Sequence, residues 1–284
     1  MHVETYSLPH AWYRRTAAYL ARLEAENNLM LGLAYILMHD PGAFSEYYLG
    51  TVVEDEQVVG AAVMTVPYNL VLSHTEHPDA LDALAANVYR TFRTLPGVNG
   101  RKENAAAFAR IWSERTGHRH ELEMAQRIYE LREVRPPEGV PGTLRTAVPS
   151  DIDMMAEWQY AFAIDAHMEA DRERSRIWAE RVFQATSRRI YFWMVDGQAV
   201  CMVGTTGPTP RGIRIGPVYT PAEQRRKGYG SACTAAVSQA MLDEGKAACF
   251  LYTDLANPTS NKIYQEIGYT PVCDADIIRF YPRV

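Results

Sequence analysis

The chain has 284 residues, 47% apolar and 22% charged, with a formal net charge of −5. That length admits two domains of ordinary size, and the composition is that of a folded globular chain rather than a disordered or fibrous one. The acidic balance lies wholly in the first half: residues 1–142 hold 13 basic and 18 acidic side chains, and residues 143–284 hold 16 of each. With no basic arm or stripe, a nucleic-acid partner is not expected.

The opening MHVETYSLPHAWYRR has no apolar signal-peptide core, and no apolar run approaches 18 residues. Neither export nor a membrane span is expected. The four cysteines, Cys201, Cys233, Cys249 and Cys273, form no CxxC pair and sit among apolar residues. They read as reduced, mostly buried thiols of a cytoplasmic protein, with no zinc site and no disulfide.

Residues 11–38 repeat leucine and isoleucine at helical spacing, with Asn27-Asn28 as a break into two helices and Asp40-Pro41-Gly42 as the stop. Tyr47–Val53 and Val58–Val66 read as a hairpin across the polar turn Glu54–Gln57, and Asn69–Ser73 as a short strand. Pro78–Leu95 returns to helical period, Val98 starts a short run toward Arg101, Asn104–Arg115 is helical, and Glu121–Arg132 is a strand. Arg135–Gly142 carries three prolines and two glycines. It supports neither a helix nor a central strand, so it is read as the linker between a domain at 1–134 and a domain at 143–284.

The second half opens with a strand at Leu144–Ala147. Ser150 is placed as the cap of a helix with Ile152, Met155, Gln159 and Phe162 inward, and a second helix runs from about Ser175 to Ala185. Tyr191–Val195 and Gln198–Thr205 form a hairpin on Asp196-Gly197. Ile213, Ile215, Val218 and Tyr219 mark the next strand. Thr220-Pro221 closes it, Arg225-Arg226-Lys227-Gly228-Tyr229-Gly230 follows, and Ser231 opens a helix to about Glu244. Ala247–Thr253 is a buried strand, a short helix carries Tyr264, and Asp276–Tyr281 is the last strand. The order is β-α-α-β-β-β-α-β-α-β.

A strand, a basic turn with two glycines and a helix start make an anion site. The first helical N–H groups have no intrahelical partner, the dipole adds positive potential, and glycine lets a phosphate approach the main chain. The spacing is neither that of a Walker A loop nor GxGxxG. It is Arg225-x-x-Gly228-x-Gly230, which resembles the pyrophosphate loop of the GCN5-related N-acetyltransferase (GNAT) family. Leu255–Tyr269 (LANPTSNKIYQEIGY) resembles that family's second motif, with Asn257, Asn261, Tyr264, Gly268 and Tyr269 in matching positions.

The resemblance implies an α/β (α+β) acyl-CoA N-acyltransferase fold with a mixed central sheet. It implies acetyl transfer from acetyl-CoA to a primary amine in a ternary complex, without a metal. The diphosphate is expected on the backbone N–H groups from Arg226 to Ser231, with Arg225, Arg226, Lys227 and Tyr229 in the same loop. The pantetheine arm is expected along Val218, Tyr219 and Thr220, with Asn257 and Asn261 as further partners. Tyr264 is the expected catalytic residue, a phenol near the leaving sulfur. No general base is assigned: Glu223 faces solvent by its position, Asp254 reads equally well as a turn residue, and His167 as a helix-surface residue.

Short echoes join the two halves. Residues 53–59 lie over 194–200, Arg110–Glu114 echoes Lys262–Glu266, and Gly117-His118 echoes Gly268-Tyr269. Gly97–Glu103 carries no Arg-x-x-Gly-x-Gly, and Trp112 stands where the phenol would be. The first half is therefore expected to be a degenerate copy that packs on the second and walls a substrate cleft. A non-catalytic acyl-CoA sensor is the alternative reading. The acceptor, a small molecule or a peptide amine, and the oligomeric state, a homodimer among the options, stay open.

Overall fold

The computed structural model describes residues 1–40, 42–166 and 168–282; His167 lies outside them. The first half runs β1 (His2–Thr5), α1 (Pro9–Arg22), α2 (Asn28–His39), β2 (Tyr47–Glu54), β3 (Gln57–Thr65), β4 (Leu70–Leu72), α3 (Pro78–Thr91), β5 (Gly97–Arg101), α4 (Lys102–Thr116) and β6 (Arg119–Leu131). The second runs β7 (Thr143–Thr146), α5 (Ile152–Asp165), α6 (Arg172–Arg181), β8 (Arg188–Val195), β9 (Gln198–Thr206), β10 (Gly212–Tyr219), α7 (Tyr229–Asp243), β11 (Ala248–Asp254), α8 (Pro258–Glu266) and β12 (Thr270–Tyr281). The two lists have the same order of strands and helices, so the internal repeat read from short echoes holds for the whole chain.

The chain forms two compact units, and they do not follow the sequence halves. One comprises Met1–Tyr129, Tyr252–Pro258 and Pro271–Val284; the other comprises Glu130–Leu251 and Thr259–Thr270. Residues 132–142 have no regular structure.

In the first unit the strands lie in the order β1-β2-β3-β4-β5-β12-β6. β2 pairs antiparallel with β1 and β3, β4 pairs parallel with β5, and β12, from the end of the chain, pairs antiparallel with β5 through Ala275↔Arg101 and Ile278↔Val98. Side chains alternate between the two faces of this sheet, as the period of a strand requires. Tyr48, Val52, Ala62, Met64, Leu70 and Leu72 pack with Leu84, Val88, Phe108 and Trp112 of α3 and α4. Leu49, Ala61, Val63 and Val71 pack with Trp12, Leu20, Met30 and Leu31 of α1 and α2. Both faces are covered, which is why β2 and β3 read as nearly continuous apolar runs.

In the second unit the order is β11-β10-β9-β8-β7. β8 and β9 form the expected hairpin, with Asp196 at φ 49° and Gly197 at φ 76°, the backbone of a type I′ turn. Met155, Ala179, Val182, Ile190, Phe192 and Met202 make a core between this sheet and α5 and α6.

Several local expectations change. β1 was not anticipated; four residues with half-exposed burial carry little apolar signal. Ser150 is not a cap, because Pro149–Asp151 forms a 3-10 turn before α5. The neighbouring Asp151 carboxylate accepts the Val148 N–H at 2.7 Å and is gripped by Arg145 at 2.8 and 3.0 Å. α6 starts three residues earlier than expected, at Arg172, because Asp171 caps it by accepting the Arg174 N–H at 2.7 Å. Cys201, Cys233 and Cys249 are buried, whereas Cys273 is half-buried.

Candidate active site

β10 and β11 are parallel neighbours only at their start. The pairs are Gly212↔Ala248, Ile213↔Cys249 and Arg214↔Phe250, yet β10 continues to Tyr219. Its other edge stays on β9, through Val218↔Val203 and Tyr219↔Met202, after a register shift between Ile215 and Val218. Gly216 sits in that shift at φ 142°, a backbone conformation that only glycine adopts without strain. Beyond Arg214 the two parallel strands therefore part. Ile213 and Ile215 are buried, whereas Gly216 to Thr220 are half-buried. One edge of β10, from Gly216 to Tyr219, has no ladder partner on the β11 side, and an extended chain bearing amides fits such an edge.

The connection from β10 to α7 begins with the 3-10 turn Ala222–Gln224. Arg226 has φ 62° and Gly228 φ 80°, so the chain turns twice through the left-handed region before the helix. Gly228 is the residue before α7; no side chain caps that helix, and the Gly228 carbonyl accepts the Ala232 N–H at 3.0 Å. The N–H groups of Tyr229, Gly230 and Ser231 thus start a 15-residue helix without a side-chain acceptor, the arrangement that receives an anion. A Cβ on Gly228 would meet Val140 Cγ2 at 2.8 Å, whereas one on Gly230 would meet only Thr220 Oγ1 at 3.4 Å. The basic side chains are exposed. Lys227 Nζ donates to Gln224 Oε1 at 2.9 Å; Arg225 Nε donates to the Thr220 carbonyl at 2.9 Å, and its Nη2 pairs with the Asp165 carboxylate.

Tyr264 lies on α8 and Tyr269 just after it. Their rings meet edge to face, 6.0 Å apart at 67°. The Tyr269 hydroxyl shares a hydrogen bond of 2.8 Å with Ser238 of α7, which ties the end of α8 to the helix that follows the loop. Gly268, at φ 110°, is required by the Glu133 carbonyl, which a Cβ would approach to 2.4 Å. The glycine-aromatic pair of the second motif thus docks α8, and Tyr264 gains its placement from it. Burial pushes the Tyr264 phenol up, and Cys201 nearby adds to the shift. Cys201, wholly buried on β9, accepts a hydrogen bond from Thr220 Oγ1 at 3.4 Å. Thr220 thus meets Cys201 just past the end of β10, with Tyr264 close to Cys201. Cys201 belongs to no motif, and nothing in the sequence singled it out.

The structure shows the following of the remaining expected residues. Asn261 is half-buried on α8. Asn257 falls in the other compact unit, on an exposed turn where its N–H donates to the Asp254 carbonyl at 3.1 Å. The Asp254 carboxylate accepts the Ala256 N–H at 2.8 Å, a turn-forming contact. Glu223 is exposed. Gly97–Glu103, read above as the first half's counterpart of the loop, instead forms β5 and the start of α4. By element order the counterpart is 73–77, between β4 and α3. Among the described residues no cluster of His, Cys, Asp and Glu is placed to hold a metal ion, and no helix is long and apolar enough to cross a membrane.

Residues 152–269 match the family model described as Acetyltransferase (GNAT) family. No curated protein matches the chain. Among solved structures, a GCN5-related N-acetyltransferase from Sphaerobacter thermophilus superposes with a TM-score of 0.60 at 16% identity, over 98% of this chain and 94% of that one. A GNAT-family acetyltransferase from Colwellia psychrerythraea gives 0.58 at 9% identity over all of both chains. A tandem GNAT protein from the clavulanic acid biosynthesis pathway gives 0.55 at 14%, over 88% and 87%. At such identities these likenesses speak to fold, and they span both halves. The parted strands, the glycine loop at the start of α7 and the family match coincide on one segment: residues 152–269 carry the acetyltransferase domain that the GNAT family model describes, a family whose chemistry is acyl transfer from acyl-CoA.

Proposed function

We propose that the second half transfers an acetyl group from acetyl-CoA to a primary amine by direct attack in a ternary complex. The observation that carries this reading is the opening of β10 from β11 directly before an uncapped, glycine-flanked helix N-terminus. The N–H groups of Tyr229, Gly230 and Ser231, with Arg226 and Lys227 beside them, would hold the diphosphate. The free edge of β10 at Val218 and Tyr219 would hold the amides of the arm, with Asn261 as a further partner. Acetyl-CoA supplies the activated thioester: the neutral amine nitrogen bonds to the carbonyl carbon as the carbon–sulfur bond breaks, sulfur leaves as thiolate, and the proton lost from nitrogen passes to water.

Tyr264 would donate a hydrogen bond to that sulfur. A free phenol titrates near 10 and a thiol near 8.5, so full proton transfer is uphill by about 2 kcal/mol. Burial raises the phenol further, which makes the transfer harder still and keeps the group neutral as a donor. Stabilising the leaving sulfur without complete proton transfer is the role that fits.

The first half is read as a copy without this chemistry. Its connection at 73–77 holds no glycine, and α3 begins with Pro78, which has no N–H to offer. At the end of β5, Arg101 is engaged by Glu26 at 3.4 Å, by Glu103 at 3.2 Å and by His74 at 3.5 Å. Trp112 is wholly buried in the core.

Thiol release from acetyl-CoA, followed across a panel of amines, tests the reading. Steady release with at least one amine is expected, and Tyr264→Phe should lower kcat at least tenfold while coenzyme A affinity stays within about twofold. One observation favours the second reading, a non-catalytic acyl-CoA sensor: β10 carries no carboxylate from Gly212 to Tyr219. Tight binding of acetyl-CoA with no release above the solvent rate for any amine would select it.

A further inference from the structure

Arg225 opens the glycine loop, yet its guanidinium is directed at α5. Nε donates to the Thr220 carbonyl at 2.9 Å, and Nη2 pairs with Asp165, the last residue of α5. Both side chains are 45% exposed, so the pair contributes little to stability. Nor does Asp165 stabilise its helix. A carboxylate at a helix C-terminus opposes the dipole, and the last turn of α5 holds no basic residue. The local electrostatics are unfavourable without Arg225, and a conflict of that kind in a folded chain points to function. The surroundings are charged on both sides. Tyr219, packed on Trp158 at 5.8 Å, feels Asp165, Arg225 and Glu223, and Arg226 and Lys227 follow in the loop.

We propose that Asp165 is an internal anion that holds Arg225 until the diphosphate of the cosubstrate takes it over, so that loading of the loop releases the end of α5. This rests on the acyl-CoA reading above. An exposed ion pair exchanges partners at small cost, and a diphosphate offers Arg225 more charge and more acceptor oxygens than one carboxylate. Arg226 and Lys227 are not engaged by a carboxylate in this way, and they draw the anion to the loop first. Asp165 then sets how much of the binding energy goes into breaking its own contact. It also couples the loop to α5, one of the two helices that cover that face of the second unit.

The test is calorimetric titration of the full chain with coenzyme A. Asp165→Asn should bind about three- to fivefold more tightly than the parent, the ratio that an exposed pair is worth. Asp165→Glu, which keeps the competing charge, should stay near the parent. Arg225→Gln should bind more weakly, and adding Asp165→Asn to it should restore nothing. That arm separates release of Arg225 from a general loss of negative charge. Unchanged or weaker binding by Asp165→Asn, with the variant folded by thermal unfolding, overturns the proposal, as does a gain that persists without Arg225. If the parent binds no coenzyme A, every arm is silent; the acyl-CoA reading has then failed and takes this one with it.

Discussion

Gly228 and Gly230 look equivalent in the sequence and are not so in space. Gly228 has φ 80° and Val140 stands where its Cβ would go, whereas Gly230 lies within α7 with room for a methyl group. Gly228→Ala places an L-residue in the left-handed region at a cost of about 1–2 kcal/mol, with the Val140 contact added. It should lower Tm and abolish or sharply weaken coenzyme A binding. Gly230→Ala should hold or raise Tm, by up to about 1 kcal/mol in stability, and keep binding. Thermal unfolding and titration of the two variants check this, and equal behaviour would contradict the geometry given for the loop. The motif Arg-x-x-Gly-x-Gly was legible because its residues are contiguous and chemically distinctive. Cys201, Asp165 and Trp158 were not, because what brings them to Thr220, Arg225 and Tyr219 is strand pairing and helix packing far along the chain.

At the scale of elements, the signals that are local came through. The Asn27-Asn28 break separates α1 from α2, and Asp196-Gly197 makes the β8–β9 turn. The parting of β10 from β11 was not legible, since it depends on which residues pair; the resemblance supplied only that the arm runs along Val218 to Thr220. The start of α5 shows a second kind of miss. Ser150 has the right residue type for a cap, but the contacts there belong to Asp151, whose carboxylate is held by Arg145 and the Val148 N–H and not by an N–H of α5. Arg145 keeps the Asp151 carboxyl below its ordinary value of 3.8. A lowered carboxyl stabilises the fold above its unfolded value and loses that contribution as pH falls through the folded one. Asp151→Asn should therefore cost roughly 1 kcal/mol near neutral pH, and denaturation curves of variant and parent should converge below about pH 3.8. A constant gap down to low pH would show that the charge is not what matters there.

At the scale of the molecule, the repeat and the units disagree in a useful way. Each half has the same ten-element order, but the first compact unit takes its β12 from the end of the chain. β12 covers the β5 edge over five residue pairs, Ala275 to Arg279, and Ile278 and Phe280 enter the core with Trp112. A fragment of residues 1–134 would leave that edge open, and an unpaired apolar edge invites aggregation. Expressed alone, that fragment should be insoluble or molten; together with residues 143–284 it should be recovered as a folded pair. A soluble fragment 1–134 with cooperative unfolding would contradict this. The repeat was visible in the sequence only as short echoes, because conserved order does not require conserved residues. The destination of the last strand was not visible, because alternation shows that a strand is buried and not beside which neighbour.

The central claim is that the loop before α7 and the free edge of β10 bind an acyl-CoA. Thermal unfolding of the full chain with acetyl-CoA, with coenzyme A and with ATP tests it most directly. At about a hundred times its dissociation constant a ligand adds roughly 2.7 kcal/mol of stability, a shift of a few degrees for a chain of this size. A rise of that order with both CoA species and none with ATP is the predicted result. No rise with any of the three, or an equal rise with ATP, would contradict the claim and reduce the loop to a basic turn before a helix.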